Sequence, residues 1–277
     1  MTTGTFTFIG NATFLVRYGD VTVLTDPNFL HRGERAYLGH GLTSKRLQEP
    51  AMQIEDLPDI DVIVLSHLHG DHWDRRAQRN LDHSLPVITT EHAAETLRRR
   101  GFEYAKGLPV WQSRTITRRG SWVRVTAMPG RHGPSWATAL RILPPVMGSV
   151  LEFGSGSGPV EFRMYVSGDT LVVDDLTEIP RRFPHIHAGV FHLGGTTLPF
   201  GRKSPWGLTV TMDGVQGAKA VQLISPDYVI PVHYDDYGVF ASPLADFIAE
   251  MKVRGMSERV LQVPRGVSVD LHSTGRK

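Results

Sequence analysis

Apolar and polar side chains alternate with a period of two at the start of the chain. The alternation covers residues 6–8, 14–16 and 21–23, and glycine-containing breaks separate the three runs. A period of two places every second side chain on one face of a β-strand. The pattern predicts an antiparallel meander joined by hairpin turns, and the proline of Thr25-Asp26-Pro27 ends it.

Further along the chain, apolar runs are continuous rather than alternating. Continuous β-branched runs are typical of strands that are buried on both faces. We predict such strands at residues 61–65 and 86–89. Further strands are predicted at residues 115–117, 122–127, 139–143, 150–153, 160–166, 188–192 and 228–232.

Helices are predicted between these strands from their starting residues. Thr90 and Asp213 are good N-cap residues, and Ser242-Pro243 combines an N-cap with a proline at the first helical position. A short helix is expected near residues 174–182. Strands outnumber helices and the two types are interleaved. This order predicts an α/β fold in which helices cover sheets.

Two long segments, residues 28–58 and 194–212, have no clear periodicity. Loops of this length inside compact proteins are usually functional, so we expect them to shape substrate specificity. The glycine–serine run at residues 154–158 has strand patterns close on both sides and is predicted to be a hairpin loop. We therefore expect residues 1–277 to form a single domain.

Composition and charge exclude several classes of protein. The chain has no cysteine, which excludes disulfides, thiolate metal sites and cysteine nucleophiles. A formal net charge of +2 is too small to indicate nucleic acid as a partner. The first residues lack the pattern of a signal peptide, and no apolar stretch is long enough for a membrane span. We expect a cytoplasmic protein with a small-molecule substrate, and the sequence leaves its oligomeric state open.

The candidate chemistry is concentrated directly after the predicted strand at residues 61–65. There the chain reads Ser66-His-Leu-His-Gly-Asp-His-Trp73, with four metal-ligand side chains within six positions. Imidazole nitrogens and carboxylate oxygens suit zinc and the neighbouring first-row metals. A histidine-rich surface loop is the alternative, but clustered histidines without partners are costly. The segment therefore predicts a metal site.

The motif His67-x-His69-x-Asp71-His72 resembles the signature of the metallo-β-lactamase superfamily, whose fold is a four-layer αβ/βα sandwich. The resemblance implies further ligands at the ends of later strands. His132 resembles the third histidine of the family, Asp169 the bridging aspartate and His233 the last histidine. Asp26 is similar to an early aspartate that orients the ligands.

The resemblance also implies a role for each ligand. One metal ion would be held by His67, His69 and His132, and a second by Asp71, His72 and His233, with Asp169 between them. Two divalent transition-metal ions are expected, with zinc favoured and manganese or iron also compatible. A bridging hydroxide would attack phosphorus or a carbonyl carbon, and Asp71 would act as the catalytic residue that steers its proton.

Within the superfamily, the chain resembles the branch that contains N-acyl-phosphatidylethanolamine phospholipase D and ascorbate-6-phosphate lactonase. Residues 8–14, 24–29 and 57–67 carry this likeness, whereas Gly133 and Met212 depart from the phospholipase pattern. The branch implies cleavage of a phosphodiester, lactone or other ester bond in a small molecule. An RNA or DNA phosphodiesterase and a non-catalytic metal-binding sensor are the alternatives.

Two further residues are candidates for contact with the substrate or the ligands. His192 ends a predicted strand on the side where the ligand loops should gather, so it could line the substrate pocket. Tyr234 directly follows the last ligand and could donate a hydrogen bond to the substrate or to a histidine. A polar turn without a role in catalysis is the alternative for Tyr234.

Overall fold

The computed structural model describes residues 4–140, 142–198 and 207–272. Its first large sheet has seven strands, in the order β17-β1-β2-β3-β6-β7-β8. These strands are β1 (Gly4–Gly10), β2 (Thr13–Tyr18), β3 (Val21–Thr25), β6 (Val62–Val64), β7 (Val87–Thr89), β8 (Ala105–Gly107) and β17 (Ser268–Leu271). The strands β17, β1, β2 and β3 pair antiparallel, whereas β3, β6, β7 and β8 pair parallel.

The second large sheet has six strands, in the order β16-β13-β12-β11-β10-β9. They are β9 (Ser113–Arg118), β10 (Ser121–Met128), β11 (Gly148–Ser155), β12 (Phe162–Val166), β13 (Ala188–His192) and β16 (Tyr228–Val232). The strands β9 to β12 are antiparallel, and β12, β13 and β16 are parallel. Both sheets thus change from antiparallel to parallel pairing partway across.

One apolar core lies between the two sheets. It contains Phe14 and Val23 from the first sheet and Val125, Leu151 and Met164 from the second, all fully buried. Burying both inner faces in one core removes their apolar surface from water, which is the main contribution to folding. The two sheets therefore pack face to face.

Helices cover the outer face of each sheet. They are α1 (Arg75–Asn80), α2 (Glu91–Arg99), α4 (Glu178–Arg182), α5 (Gly214–Ile224) and α6 (Leu244–Val253). A further helix, α3 (Ser135–Ala139), packs through Ala137 into a separate apolar cluster with Leu30 and Leu143. Ala77 and Leu97 of α1 and α2 join an apolar cluster with the first sheet, and Val221 and Phe247 of α5 and α6 join one with the second. This arrangement confirms the predicted four-layer αβ/βα sandwich. No helix of the described ranges is both long and apolar enough to cross a bilayer.

Most of the predicted local structure is confirmed. The meander forms β1 to β3, and the predicted strands at residues 188–192 and 228–232 are β13 and β16. The Thr90 and Asp213 side chains cap α2 and α5 as expected, accepting hydrogen bonds from the backbone N–H groups of Ala93 and Gln216. The third predicted helix, α6, begins one residue later than expected, since its N-cap is Pro243 rather than Ser242.

Two predictions from the sequence are wrong. The strand expected at residues 139–143 is absent: Ala139 ends α3, and the described residues 142–147 contain no strand. Pro144 and Pro145 lack the amide hydrogens that a ladder needs. The segment expected to be irregular, residues 28–58, contains the hairpin of β4 (Arg35–Gly39) and β5 (Leu42–Lys45). In the other long segment, β14 (Thr197–Leu198) pairs antiparallel with β15 (Leu208–Thr209).

Asp74 connects the start of α1 to the loop after β3. One carboxylate oxygen, Oδ1, caps the helix by accepting from the backbone N–H groups of Arg76 at 2.7 Å and Ala77 at 2.8 Å. The other oxygen, Oδ2, accepts from the backbone N–H groups of Phe29 and Leu30, the latter at 2.7 Å. Asp74 is buried, so water cannot replace its carboxylate as the acceptor for these amides. The side chain therefore holds two segments that flank the ligand motif.

Replacing this carboxylate should destabilise the fold strongly. In Asp74→Ala several buried amides lose their acceptor, and each unsatisfied group costs about 1–3 kcal/mol. We expect the free energy of unfolding in urea to fall by at least about 3 kcal/mol. Asp59→Ala removes an exposed aspartate and serves as the control. Equal unfolding midpoints for the two variants would contradict the role given to Asp74.

Candidate metal centre

Most of the candidate ligands gather where the parallel strands of both sheets end, and His132 joins them from the loop after the antiparallel strand β10. Asp26 follows β3, and the ligand turn, residues 66–73, follows β6. On the second sheet, Asp169 follows β12, His192 ends β13 and His233 follows β16. Carboxyl ends of neighbouring parallel strands lie at one edge of a sheet, so side chains distant in sequence meet there.

Three histidines form the first group of ligand atoms. His67 Nε2 lies 3.0 Å from His69 Nδ1, and His132 Nε2 lies 3.3 Å from the same atom. All three side chains are buried, with His69 the most exposed at 8%. The sequence-predicted set for one metal ion is thus brought together in the structure.

The second group combines two carboxylates with two histidines. His72 Nε2 lies 3.4 Å from Asp169 Oδ2 and 3.8 Å from Asp71 Oδ2. His233 Nε2 lies 3.4 Å from Asp71 Oδ2, and His233 Nδ1 lies 3.6 Å from Asp169 Oδ1. Within each group, the atoms that could bind a metal ion lie within 4.8 Å of one another.

Unpaired atoms in the second group show that these residues fit a cation. Each member has one buried nitrogen or oxygen without a hydrogen-bond partner among the described residues: Asp71 Oδ1, His72 Nε2, Asp169 Oδ1 and His233 Nδ1. Buried polar atoms are nearly always paired, because desolvation without a partner is costly. A divalent cation would satisfy such atoms, and nitrogen and carboxylate donors are its usual ligands in proteins.

The outward-facing nitrogens of the histidines have partners that fix the rings. His132 Nδ1 donates to the Val210 carbonyl oxygen at 2.8 Å. His72 Nδ1 lies 3.2 Å from Asp26 Oδ2, and His67 Nδ1 lies 3.0 Å from the Ser66 hydroxyl. A partner on the outer nitrogen orients the ring and leaves the inner nitrogen free to coordinate.

Asp26 and His192 lie behind the ligands. Asp26 Oδ1 accepts from the Ser66 N–H at 2.6 Å, and its Oδ2 lies 3.5 Å from His192 Nε2. His192 is fully buried, and its Nδ1 lies 3.2 Å from the Ser167 hydroxyl. Of the two roles expected for His192, support of the ligands therefore fits better than contact with substrate. Tyr234 is half-buried and packs against the apolar cluster beneath α5 and α6.

For His67, His69 and Asp71 the electrostatic environment favours the protonation states that metal ligands need. Burial opposes protonation of His72, but Asp169 and Asp71 outweigh it and raise the pKa of His72 above its usual value. Burial, with the nearby imidazole of His132, lowers the pKa of His69 to about 3. Burial likewise holds the pKa of His67 well below its usual range. Burial opposes ionisation of Asp71, but His72 and His233 outweigh it and lower the pKa of Asp71 to about 2. Neutral imidazoles and ionised carboxylates are the forms that bind metal ions.

Several polar residues around the ligands were not predicted from the sequence to have a role. Thr211 is fully buried and donates from Oγ1 to Asp169 Oδ2 at 2.9 Å. Asn11 and Asn28 donate to backbone carbonyls of the ligand turn. Both asparagines lie in stretches that carried the family resemblance, residues 8–14 and 24–29. That resemblance is the feature of the sequence that could have marked them as residues of the site.

Comparison with known proteins identifies the family. Residues 22–234, well over half of the chain, match the model of the Beta-lactamase superfamily domain. The chain belongs to this superfamily. The UPF0173 metal-dependent hydrolase from Deinococcus radiodurans is 28% identical over 199 residues, which cover 72% of this chain and 76% of that protein. Together these findings make the chain a metal-dependent hydrolase of the superfamily.

Two further matches bear on the branch and the fold. N-acyl-phosphatidylethanolamine-hydrolyzing phospholipase D 1 of Caenorhabditis elegans is 39% identical over 82 residues, covering 30% of this chain and 22% of that protein. The expected likeness to this phospholipase is therefore confirmed over a limited stretch. The crystal structure of isothiocyanate hydrolase from Delia radicum gut bacteria superposes with a TM-score of 0.77 at 20% identity, covering 97% of this chain and 100% of that one. At this identity the match supports the fold alone.

The Thr211 hydroxyl should contribute to metal affinity without being a ligand. Thr211→Val removes the donor to Asp169 Oδ2 while keeping the shape of the side chain. We expect the affinity for Zn²⁺, measured by competition with a chromophoric chelator, to fall about 10–100-fold. Thr209→Val in the same segment is the control, since among the described residues the partner of its hydroxyl is the hydroxyl of Thr197, which is not a candidate ligand. Unchanged affinity in Thr211→Val would show that this hydrogen bond does not tune the site.

Proposed function

We propose that this protein hydrolyses a phosphodiester, lactone or other ester bond of a small molecule at a centre that holds two divalent cations. One observation carries the proposal. The buried ligand atoms include two adjoining groups of at least three donors each, and a third set, Asp26, His72 and His192, shares His72 with the second group and lies behind it. A single cation does not need so many ligands, and two-cation sites are typical of enzymes that hydrolyse phosphate and related esters.

Each group of side chains would hold one of the two cations. His67, His69 and His132 would hold one cation, and Asp71, His72 and His233 the other. Asp169 belongs to the second group, while its backbone carbonyl lies 3.0 Å from His132 Nδ1 of the first. Its position next to both groups supports a bridging role.

Bound divalent cations lower the pKa of water toward neutrality and stabilise negative charge on a phosphoryl or carbonyl oxygen. Around them, the protein must place a proton acceptor and exclude bulk water. Asp71 has two carboxylate oxygens, so one can hold a cation while we assign to the other the proton of the attacking water. Ligand side chains that are at most 8% exposed keep bulk solvent away from the reacting atoms.

A cavity beside His69 would receive the substrate. Its volume is about 610 Å³, which suits a small molecule. One wall is apolar and includes Leu68, Ile142, Pro144 and Pro145. Polar groups come from His40, His92 and Glu95. A second cavity of about 390 Å³, lined by Trp73 and three arginines among others, also reaches His69. Two cavities at one ligand could receive the two parts of a substrate on either side of the bond that breaks.

Activity should depend on metal loading and on the ligand Asp169. After removal of metal and reloading with Zn²⁺, we expect about two equivalents per chain and hydrolysis of bis(p-nitrophenyl) phosphate or of members of a lactone panel. Asp169→Ala should lower turnover at least about a hundredfold and reduce the metal content, whereas Asp59→Ala should change neither. Unchanged turnover and metal content in Asp169→Ala would favour the metal-binding sensor instead. A fully loaded wild-type protein that is inactive on both substrate classes would contradict the proposal.

The cavity beside His69 can be tested separately from the metal site. Ile142→Trp should fill part of the cavity and lower kcat/KM at least about tenfold, mainly through KM, with the metal content unchanged. Val253→Trp places the same ring at an exposed position at the end of α6 and is the matched control. Equal kinetic constants for the two variants would place the substrate elsewhere.

A further inference from the structure

Two consecutive carbonyls of the ligand turn are each held by an asparagine side chain. Asn28 Nδ2 donates to the Gly70 carbonyl oxygen at 3.0 Å. Asn11 Nδ2 donates to the Asp71 carbonyl oxygen at 2.6 Å. These peptide groups lie between His69 and His72, so their orientation determines where three of the candidate ligands point.

Asn11 connects ligands that come from opposite sheets. It lies in the β1–β2 turn with a φ of 54°, a left-handed conformation that asparagine tolerates better than most residues. Its backbone carbonyl accepts from the His233 N–H at 2.9 Å, and its own N–H donates to Asp236 Oδ2 at 2.7 Å. One residue thus contacts the backbone of both Asp71 and His233, which belong to the second group of ligands.

The orientation of the Asn28 side chain is fixed by its other partners. Its Oδ1 accepts from the Tyr237 hydroxyl at 2.8 Å and from the Arg46 guanidinium. Because two donors face Oδ1, the Nδ2 group must face the Gly70 carbonyl. Arg46 also donates to the Asn28 backbone carbonyl at 2.9 Å. The asparagine is therefore constrained on both sides.

Arg46 and Asp236 form a buried ion pair behind the two asparagines. Both side chains are fully buried, and Arg46 Nη2 lies 3.3 Å from Asp236 Oδ1. Asp236 also accepts from Arg265 at 2.7 Å. Burying charges costs much free energy unless each is paired and hydrogen-bonded, and such pairs are often weak contributors to stability. A pair of this kind beside Asn11 and Asn28 is better explained by the geometry it imposes.

We infer that Asn11 and Asn28, held by the Arg46–Asp236 pair, are positioning residues that set the metal-binding conformation of residues 69–72. The inference rests on the proposed function in that the site binds cations. The Asn11 side chain contacts the backbone of Asp71, a ligand of the second group, so it acts mainly on the second cation. Asn28 acts through Gly70, which lies between His69 of the first group and Asp71 of the second, so it affects both cations.

Metal titration tests this inference with side-chain deletions that leave every ligand in place. Asn11→Gly keeps the backbone hydrogen bonds, because glycine adopts a positive φ freely, and Asn28→Ala removes the second carboxamide. Asn80→Ala is the control, since Asn80 is exposed at the end of α1. By competition with a chromophoric chelator, we expect Asn11→Gly to weaken one Zn²⁺ equivalent about 10–100-fold and Asn28→Ala to weaken both. Wild-type affinities in both variants would overturn the inference.

Hydrogen exchange of the metal-free proteins gives a readout that does not depend on cation binding. The N–H groups of His72 and Trp73 donate to the His69 carbonyl within the turn, at 3.0 and 2.8 Å. We expect these amides to exchange at least about tenfold faster in Asn11→Gly and Asn28→Ala than in Asn80→Ala, with core amides unchanged. Equal exchange rates in these variants and in Asn80→Ala would overturn the inference, whether or not the wild type binds Zn²⁺. Failure of the wild type to bind Zn²⁺ would instead refute the proposed function. If Asn28→Ala does not fold, Asn11→Gly decides both measurements.

Discussion

Buried ligand atoms without hydrogen-bond partners are the constraint on which this structure depends. Imidazole nitrogens and carboxylate oxygens from both sheets lie 3.0–3.8 Å apart, out of reach of bulk water. Positive charge among such atoms stabilises them. The hydrogen bonds of Asp26, Ser66 and Thr211, and the carbonyls that hold His132, keep each donor atom aimed at that charge. The site is thus a cluster whose outer atoms have hydrogen-bond partners and whose inner atoms can bind a cation.

The change of strand direction within each sheet explains why this cluster can form. The carboxyl ends of antiparallel strands alternate between the two edges of a sheet, whereas parallel strands bring their carboxyl ends to one edge. In both sheets the parallel part carries most of the candidate ligands, while His132 follows the antiparallel strand β10. The antiparallel part also contributes to the apolar core between the sheets. The β4–β5 hairpin adds a wall near this edge through backbone pairing of Tyr37 with Gly70.

Much of the fold could be predicted because its signals are local. Alternation, continuous β-branched runs and N-caps such as Thr90 depend on neighbouring residues, and the structure confirms them. The motif around His67 was also local, but His132, Asp169 and His233 could be proposed only through family resemblance. The β4–β5 hairpin, the helix at Ser135–Ala139 and the partners of Asn11 depend on contacts between segments far apart in sequence. No local pattern encodes such contacts.

The distribution of the ligands over the two sheets has a consequence for the chain as a whole. In each group, ligands of the first sheet face ligands of the second, and the Asp71–His233 contact closes a sequence separation of 162 residues. Bound cations would therefore act as cross-links between the halves of the molecule, in the way that disulfides restrict an unfolded chain. This protein has no cysteine. Its cross-links would be metal ions, which chelators rather than thiols would remove.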